Sequence, residues 1–235
     1  MTEKLVDGAQ FHEELASNWS SGYASGGFGR RLRVIHALLD KSVFPGSNWL
    51  DAGCGTGLLT REICKMGAEV TGVDASPKMI SAALSESASE SELISFQQIK
   101  SIESMDLPSD EFDGVLCSSV VEYVESPAAV FIEFSRLLKP GGKLLVSVPN
   151  KRSIVRNMQK LCKYVAGLWG GKAFPYLDVS KQEFTRGEIE ASLRNAGISI
   201  ESMEIFDPVL PAFVARFGVG SLIVVLGHQQ TNSLG

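Results

Sequence analysis

Two acids and three glycines stand close enough in this chain to bind a nucleotide. The run Trp49-Leu50-Asp51-Ala52-Gly53-Cys54-Gly55-Thr56-Gly57-Leu58-Leu59 carries an apolar pair into Asp51 and then into a Gly-x-Gly-x-Gly turn. Leu58, Leu59, Ile63 and Met66 follow at helical spacing, so the stretch reads as a buried strand, a tight turn and a helix. Glycines let the backbone bend sharply and leave room for a ligand against the main chain. The free N–H groups at the start of the helix face that ligand. Ala68 to Asp74 reads as the next strand. Asp74, at its tip about 20 residues after the turn, is placed to accept both hydroxyls of a ribose. A dinucleotide fingerprint needs a small residue at position 58, where this chain has Leu58, and its third glycine comes one residue early, at Gly57. Asp51 suits a ligand with a cationic amino group and suits a pyrophosphate poorly.

The elements that must position these residues follow from the pattern on either side. Residues 8–24 read as a loosely amphipathic helix with Phe11, Leu15, Ala16 and Trp19 on one side; Trp19 and Tyr23 either cover a ligand or pack on the core. Residues 28–41 read as a second helix with Leu32, Ile35, Leu38 and Leu39 inward. Arg30, Arg31 and Arg33 line its first turns, either meeting the carboxylate of an amino-acid-like ligand or standing in solvent. Ser76-Pro77 is an N-cap with proline at the first helical position, opening a helix that runs to about Ser87. A third strand spans 93–99, and the loop 101–110 lies beside the ligand's base. A fourth strand spans 112–117 and carries Ser118 to Tyr123 at its end. A helix over 128–139 stops at Pro140-Gly141-Gly142, and a fifth strand over 143–148 ends in Asn150-Lys151-Arg152.

Residues 153–170 are amphipathic, with Ile154, Met158, Leu161, Val165 and Leu168 on one face. Such an insertion is a lid, a wall for a hydrophobic substrate, a membrane-surface helix or an ordinary packed helix. Thr185-Arg186-Gly187-Glu188 is a capping box opening a helix that ends near Gly197. Two strands, 198–206 and 221–226, close the sheet as an antiparallel edge pair. Strands alternating with helices before them imply a parallel sheet. Ligands then sit at the carboxyl ends of strands one, two, four and five.

Composition sets the outer limits. The chain has 235 residues, 44% hydrophobic and 21% charged, with a net charge of −5. That fits one α/β domain over 1–235 with a full core, a helical cap at 1–45 and an inserted lid at 151–180. No electrostatic footprint for nucleic acid is visible. Cys54, Cys64, Cys117 and Cys162 form no C-x-x-C pair, and His12, His36 and His228 stand in no motif. The expectation is a reduced, cytoplasmic protein without a metal site. The first seven residues have no apolar signal core. The apolar stretch 208–227 is broken by Pro211, Arg216, Gly218 and Gly220 and reads as no membrane span.

The chain resembles the class I S-adenosylmethionine-dependent methyltransferases over nearly its whole length. Within them it is similar to the ubiquinone-biosynthesis O-methyltransferases. The resemblance rests on Arg33 at its distance before Gly53, on Asp51-Ala-Gly-Cys-Gly-Thr-Gly57 and on Thr71-Gly-Val-Asp74. It rests further on Cys117-Ser-Ser-Val-Val-Glu122-Tyr-Val, Leu138-Lys-Pro-Gly-Gly142 and Asn150-Lys-Arg-Ser153. It implies an α/β, Rossmann-like three-layer sandwich around a mostly parallel seven-stranded sheet with an antiparallel edge pair. It implies that Arg33 pairs with the cofactor carboxylate. Gly53 and Gly55 lie along the methionine part, and Asp51, Cys54, Gly57 and Ile102 are further expected cofactor-binding residues. Asp74 holds the ribose, Ala75 or Met79 touches the adenine, and Ser118 contacts the methionine side through its backbone. Near the adenine amino group, where the family has an acid, this chain has Ser101-Ile102-Glu103, and either Ser101 or Glu103 takes that place. Glu122-Tyr123 stands where the family has Glu-His. The expected reaction is methyl transfer from S-adenosylmethionine, leaving S-adenosylhomocysteine, to oxygen of a small, hydrophobic molecule. Glu122 is the candidate base and Tyr123 the orienting group. Trp19, Tyr23, Asn150, Arg152 and Tyr176 are expected on the acceptor side, with peripheral membrane contact through 151–170. A protein or RNA methyltransferase and a non-catalytic cofactor-binding subunit are the alternatives. The acidity and the lack of an added recognition domain speak against the first of these.

Overall fold

The computed structural model describes residues 27–88, 91–169, 171, 173–207, 210–211 and 215–231. The expected helix over 8–24, with Trp19 and Tyr23, lies outside them. The described chain runs α1 (Gly27–Leu39), β1 (Asn48–Ala52), α2 (Leu58–Lys65), β2 (Glu69–Asp74), α3 (Pro77–Glu86), β3 (Ile94–Gln98) and β4 (Phe112–Ser118). A 3-10 turn (Val121–Tyr123) leads to α4 (Pro127–Leu137), β5 (Leu138–Pro149), α5 (Ile154–Leu168), α6 (Tyr176–Val179), α7 (Arg186–Asn195) and β6 (Ile198–Phe206). A π-type turn (Ala215–Val219) precedes β7 (Leu222–Gln229).

The strands form one seven-stranded sheet in the order β3-β2-β1-β4-β5-β7-β6. All pairings are parallel except those of β7, which runs antiparallel to both β5 and β6. Side chains alternate across the sheet. Leu50, Val115, Leu144 and Val225 join Phe131 and Phe134 of α4 and Ile189 and Leu193 of α7 in one core. Trp49, Leu116, Leu145 and Val224, the neighbours of those four in sequence, join Ile35, Leu38 and Leu39 of α1 and Leu59 and Ile63 of α2 in the other. Helices thus cover both faces, as a parallel sheet requires.

The helix caps are those the residue types dictate. Ser76 and Ser126 each accept a backbone N–H three residues on, with proline at the first helical position. Thr185 and Glu188 make the reciprocal capping box.

One expected boundary moves. The helix ends at Leu137 rather than Lys139, and the strand begins at once, at Leu138. Leu138 is fully buried and pairs with Phe112, while Lys143 pairs with Gly114. Residues 139–142, with Pro140-Gly141-Gly142, are therefore a bulge inside β5, and Lys139 ion-pairs with Asp113 at 2.9 Å. Burial of Leu138 overrides the break that proline and glycine signal.

Gly114 sits opposite Trp49 in the register, and a Cβ built there meets the Trp49 ring at 2.4 Å. Both lie where rigid strands leave no room to shift, so Gly114→Ala overpacks the core. A loss of about 1–3 kcal/mol in urea unfolding is expected for Gly114→Ala; an unchanged midpoint would mean that the indole can move aside.

Candidate active site

Parallel strands end on one side of the sheet, so Asp51, Asp74, Ser118 and the residues after β5 are brought together by topology alone. Between the first two lies the glycine turn. All three glycines are left-handed, with φ of 79° at Gly53, 55° at Gly55 and 77° at Gly57. A Cβ at Gly53 would stand 2.3 Å from the Val120 side chain. Only glycine fits that backbone. The turn is pinned from below, where the N–H groups of Gly53 and Cys54 both donate to the Val73 carbonyl. It is pinned from the side by Asp74, whose Oδ2 accepts the Gly55 N–H at 3.0 Å and whose Oδ1 accepts the Ser76 N–H at 2.8 Å. Arg61 reaches from α2 to the Thr56 carbonyl at 2.8 Å and to Glu86 at 2.9 Å.

Asp51 is 2% exposed, and its Oδ2 accepts a hydrogen bond from Thr60 at 2.7 Å. Burial pushes its carboxyl up to about 7; the Thr60 bond opposes that rise and the nearby Asp74 adds to it. A buried acid with a raised pKa beside an open backbone turn is poised to receive a cationic group. Burial also raises the Cys54 thiol well above its ordinary value.

At the end of β4 the hydroxyls of Ser118, Ser119 and Ser147 lie within 3.4 Å of one another through Ser147, and the Ser119 N–H donates to Ser147 Oγ at 3.0 Å. Ser119 holds a left-handed φ of 57°, a strained setting for a residue other than glycine. Arg31 of α1 donates to Ser118 Oγ at 2.6 Å. Arg33, the arginine expected at the cofactor carboxylate, is exposed. Two positions along a helix turn a side chain by about 200°, so only one of the two arginines faces the site.

Met79 and Ile102 are buried, Ile102 within the core that α4 and α7 cover. Ala75 is half-buried at the end of β2, and its carbonyl accepts from Gln98 at 3.4 Å. Ser101 is half-buried and meets Glu103 Oε2 at 3.3 Å, while Glu103 Oε1 accepts the Ser126 N–H at the start of α4 at 2.6 Å. Glu103 thus ties to the start of a helix, and the Ser101 hydroxyl also accepts the Glu103 N–H at 3.1 Å. Asn150 is buried and spends its amide on the Gly218 and Gly220 carbonyls at 2.9 and 2.7 Å and its oxygen on the Arg152 N–H at 3.0 Å. It holds loops together rather than facing an acceptor. Arg152 is exposed.

Glu122, the expected base, is 5% exposed. Its Oε2 accepts from Arg156 at 3.0 Å and from Ser180 at 2.7 Å, so the carboxylate is already paired. Tyr123 follows it, half-buried, and burial raises its phenol above the ordinary tyrosine range, opposed by Arg156 and Arg31. Tyr176 lies under the Arg156 guanidinium, 5.6 Å from ring centre, and donates to Gln159 at 2.5 Å. Sequence reasoning had no means to single out Arg156, Thr60 or Ser147, whose partners lie 34, 9 and 28–29 residues away.

A methyltransferase-domain sequence model matches residues 50–146, from β1 through β5. A ubiquinone biosynthesis O-methyltransferase of Xanthomonas axonopodis pv. citri is 32% identical over 184 residues, covering 76% of this chain and 73% of that protein. Among solved structures, a Haloferax volcanii methyltransferase in complex with the Trm112 methyltransferase activator superposes with a TM-score of 0.71 at 18% identity, over 94% of this chain and 98% of that one. An S-adenosylmethionine-dependent methyltransferase of Mesorhizobium loti superposes with a TM-score of 0.62 at 23% identity, over 82% and 96%. The two structures share the fold. A buried acid for an ammonium group, a strand-end acid for a ribose and an open glycine turn between them fit S-adenosylmethionine, the cofactor of this family. The conclusion from site, sequence and fold together is that the chain belongs to the class I S-adenosylmethionine-dependent methyltransferases and, within them, resembles the ubiquinone biosynthesis O-methyltransferases.

Proposed function

We propose that this enzyme methylates an oxygen of a small hydrophobic molecule, at or near a membrane surface. The observation that carries the acceptor class is the 32% identity to an O-methyltransferase over 184 residues. In this reading residues 1–235 form one domain, with the cap and lid expected from the sequence.

Bound S-adenosylmethionine supplies a methyl group already activated on a sulfonium. The protein's own work is then to hold the cofactor, line up the acceptor and exclude water. Arg31 takes the cofactor carboxylate, a role supported by its place at Ser118, and Asp51 takes the ammonium group. The Gly53–Gly57 backbone lies along the methionine part, and Asp74 accepts the ribose hydroxyls after yielding the Gly55 N–H. Ser101 stands on the adenine side. Tyr123 touches the acceptor. An acceptor hydroxyl that ionises readily needs no base from Glu122, whose carboxylate is held by Arg156 and Ser180.

The membrane part of the reading is supported by α5. Its apolar stripe turns outward, with Leu161 62% exposed and Trp169, just past its end, 87% exposed. Exposed Lys151 and Arg152 precede the helix. An apolar stripe with an aromatic end and flanking cations suits an anionic lipid interface. No helix among the described residues is long and apolar enough to cross a membrane.

Three outcomes are expected. First, purified protein incubated with S-adenosylmethionine and a panel of catechols and quinols releases S-adenosylhomocysteine with at least one of them. Anionic vesicles raise that rate for apolar acceptors, and Leu161→Glu removes the gain. Turnover with amines or protein substrates only would overturn the oxygen assignment. Second, calorimetry with S-adenosylhomocysteine separates the arginines. Arg31→Ala weakens binding by about 10- to 100-fold, the loss of one charge-assisted hydrogen bond. Arg33→Ala stays within about twofold, as an exposed charge should.

Third, cofactor affinity depends on pH through Asp51. Its carboxyl keeps its proton up to about 7 in the free protein, whereas in the unfolded chain it ionises near 3.8. The ligand-free fold therefore loses stability as pH rises through that window. A cationic ligand favours the ionised carboxylate, so binding releases a proton. S-adenosylmethionine should bind about tenfold more weakly at pH 6 than at pH 8. Asp51→Asn should flatten that slope; an unchanged slope would remove Asp51 from the site.

A further inference from the structure

The helix α5 packs the opposite way from the other described helices. Its apolar stripe is exposed, and the one residue it buries is Arg156, at 7% exposure. What attaches it to the body is polar. Arg156 donates through Nη2 to Glu122 at 3.0 Å and through Nε to Glu183 at 2.6 Å, and it also meets the Ser180 hydroxyl. Lys160 takes the other oxygen of Glu183 at 2.6 Å. Lys163 pairs with Asp178, and Gln159 accepts from Tyr176 at 2.5 Å. Two cations, Arg156 and Lys160, thus balance two carboxylates, Glu122 and Glu183.

Glu122 is the point at which this network meets the site. Besides its side-chain bonds, its backbone carbonyl accepts the N–H groups of Lys181 and Gln182 at 2.7 and 3.1 Å, and the Gln182 side chain reaches the Val124 carbonyl at 3.3 Å. The segment returning from the insertion is stitched to the 3-10 turn that follows β4 and carries Tyr123. We propose that Arg156 is the positioning residue of the acceptor side: it fastens the insertion to Glu122, and the wall that includes Tyr123 stands only while this bond is made.

The chemistry favours arginine for this task. Its planar fork serves two carboxylates from Nε and Nη2 at once, which a lysine ammonium on a flexible stem does not reproduce. Both Arg156 and Glu122 are shielded from water, so salt screens the pair little. Removing either partner leaves the other as a buried, unpaired charge. The helix α5 has little apolar contact with the body to compensate, so the loss is felt in the insertion first. Among the described residues, neither Arg156 nor Glu122 bonds to the glycine turn, Asp51 or Asp74.

The test uses the full chain and needs no knowledge of the acceptor. Hydrogen exchange is followed in Arg156→Lys, Arg156→Met, Glu122→Gln and the Arg156→Met/Glu122→Gln double variant, with S-adenosylhomocysteine titrated into each. The Arg156 variants should exchange the Lys181 and Gln182 amides and the 154–169 segment about tenfold or more faster, while the β1 and β4 amides keep wild-type rates. The affinity for S-adenosylhomocysteine should stay within about threefold, since neither Arg156 nor Glu122 bonds to the glycine turn, Asp51 or Asp74. The double variant should be no worse than the worse single one, because one bond is lost in all of them. Hydroxyl-radical labelling of Tyr123, half-buried in the wild type, should rise about threefold or more in Arg156→Met, while Trp49 in the sheet core stays protected. Wild-type exchange in Arg156→Lys would overturn the proposal. So would faster exchange spread evenly over the sheet with falling cofactor affinity, which marks general destabilisation, or unchanged labelling of Tyr123 despite a loosened insertion.

Discussion

Three left-handed glycines held between two carboxylates set where everything else in this site can be. The backbone at Gly53 passes so close to Val120 that no side chain fits, and the Asp74 carboxylate closes the turn from the neighbouring strand. That tightness brings the end of β1, the end of β2 and the residues after β4 within reach of one small ligand. It also forces Asp51 out of water, which raises its pKa and makes it responsive to a cation. The geometry of the turn and the electrostatics of the site are therefore one constraint.

Much of this was legible in the sequence because the signals are local. A Gly-x-Gly-x-Gly run after an apolar pair, an acid at the next strand tip, Ser-Pro helix starts and a Thr-x-x-Glu capping box each depend on residues a few positions apart. Parallel topology then follows from alternation of strands and helices, and convergence at the carboxyl ends follows from topology. Even the antiparallel pair was visible as two strands with no helical segment between them.

What was not legible depends on rotation and on distant partners. Periodicity shows that the helix from Ile154 to Leu168 has two faces, but not which one turns inward; that is decided by Glu122 and Glu183, 34 and 27 residues from Arg156. Arg31 and Arg33 look alike in the sequence, and only the setting of α1 against the sheet separates them. Asn150 sits where a ligand contact would be, yet two carbonyls from the 218–220 turn claim its amide. Proline and two glycines suggested a break before β5, but Leu138 had already entered the core.

The place of β7 has a consequence for how the chain is made. It lies between β5 and β6 and supplies every sheet hydrogen bond that β6 receives. On the ribosome, strands one to five emerge in an order that lets each find its neighbour, whereas residues 198–206 emerge with nothing to pair against. They must wait until residues 222–229 clear the exit tunnel and slide into the gap, and until then the edge of β5 stays open. Synthesis that stalls between those two segments leaves the edge of β5 open on an otherwise assembled sheet and residues 198–206 unpaired, a state that invites other chains to fill the gap.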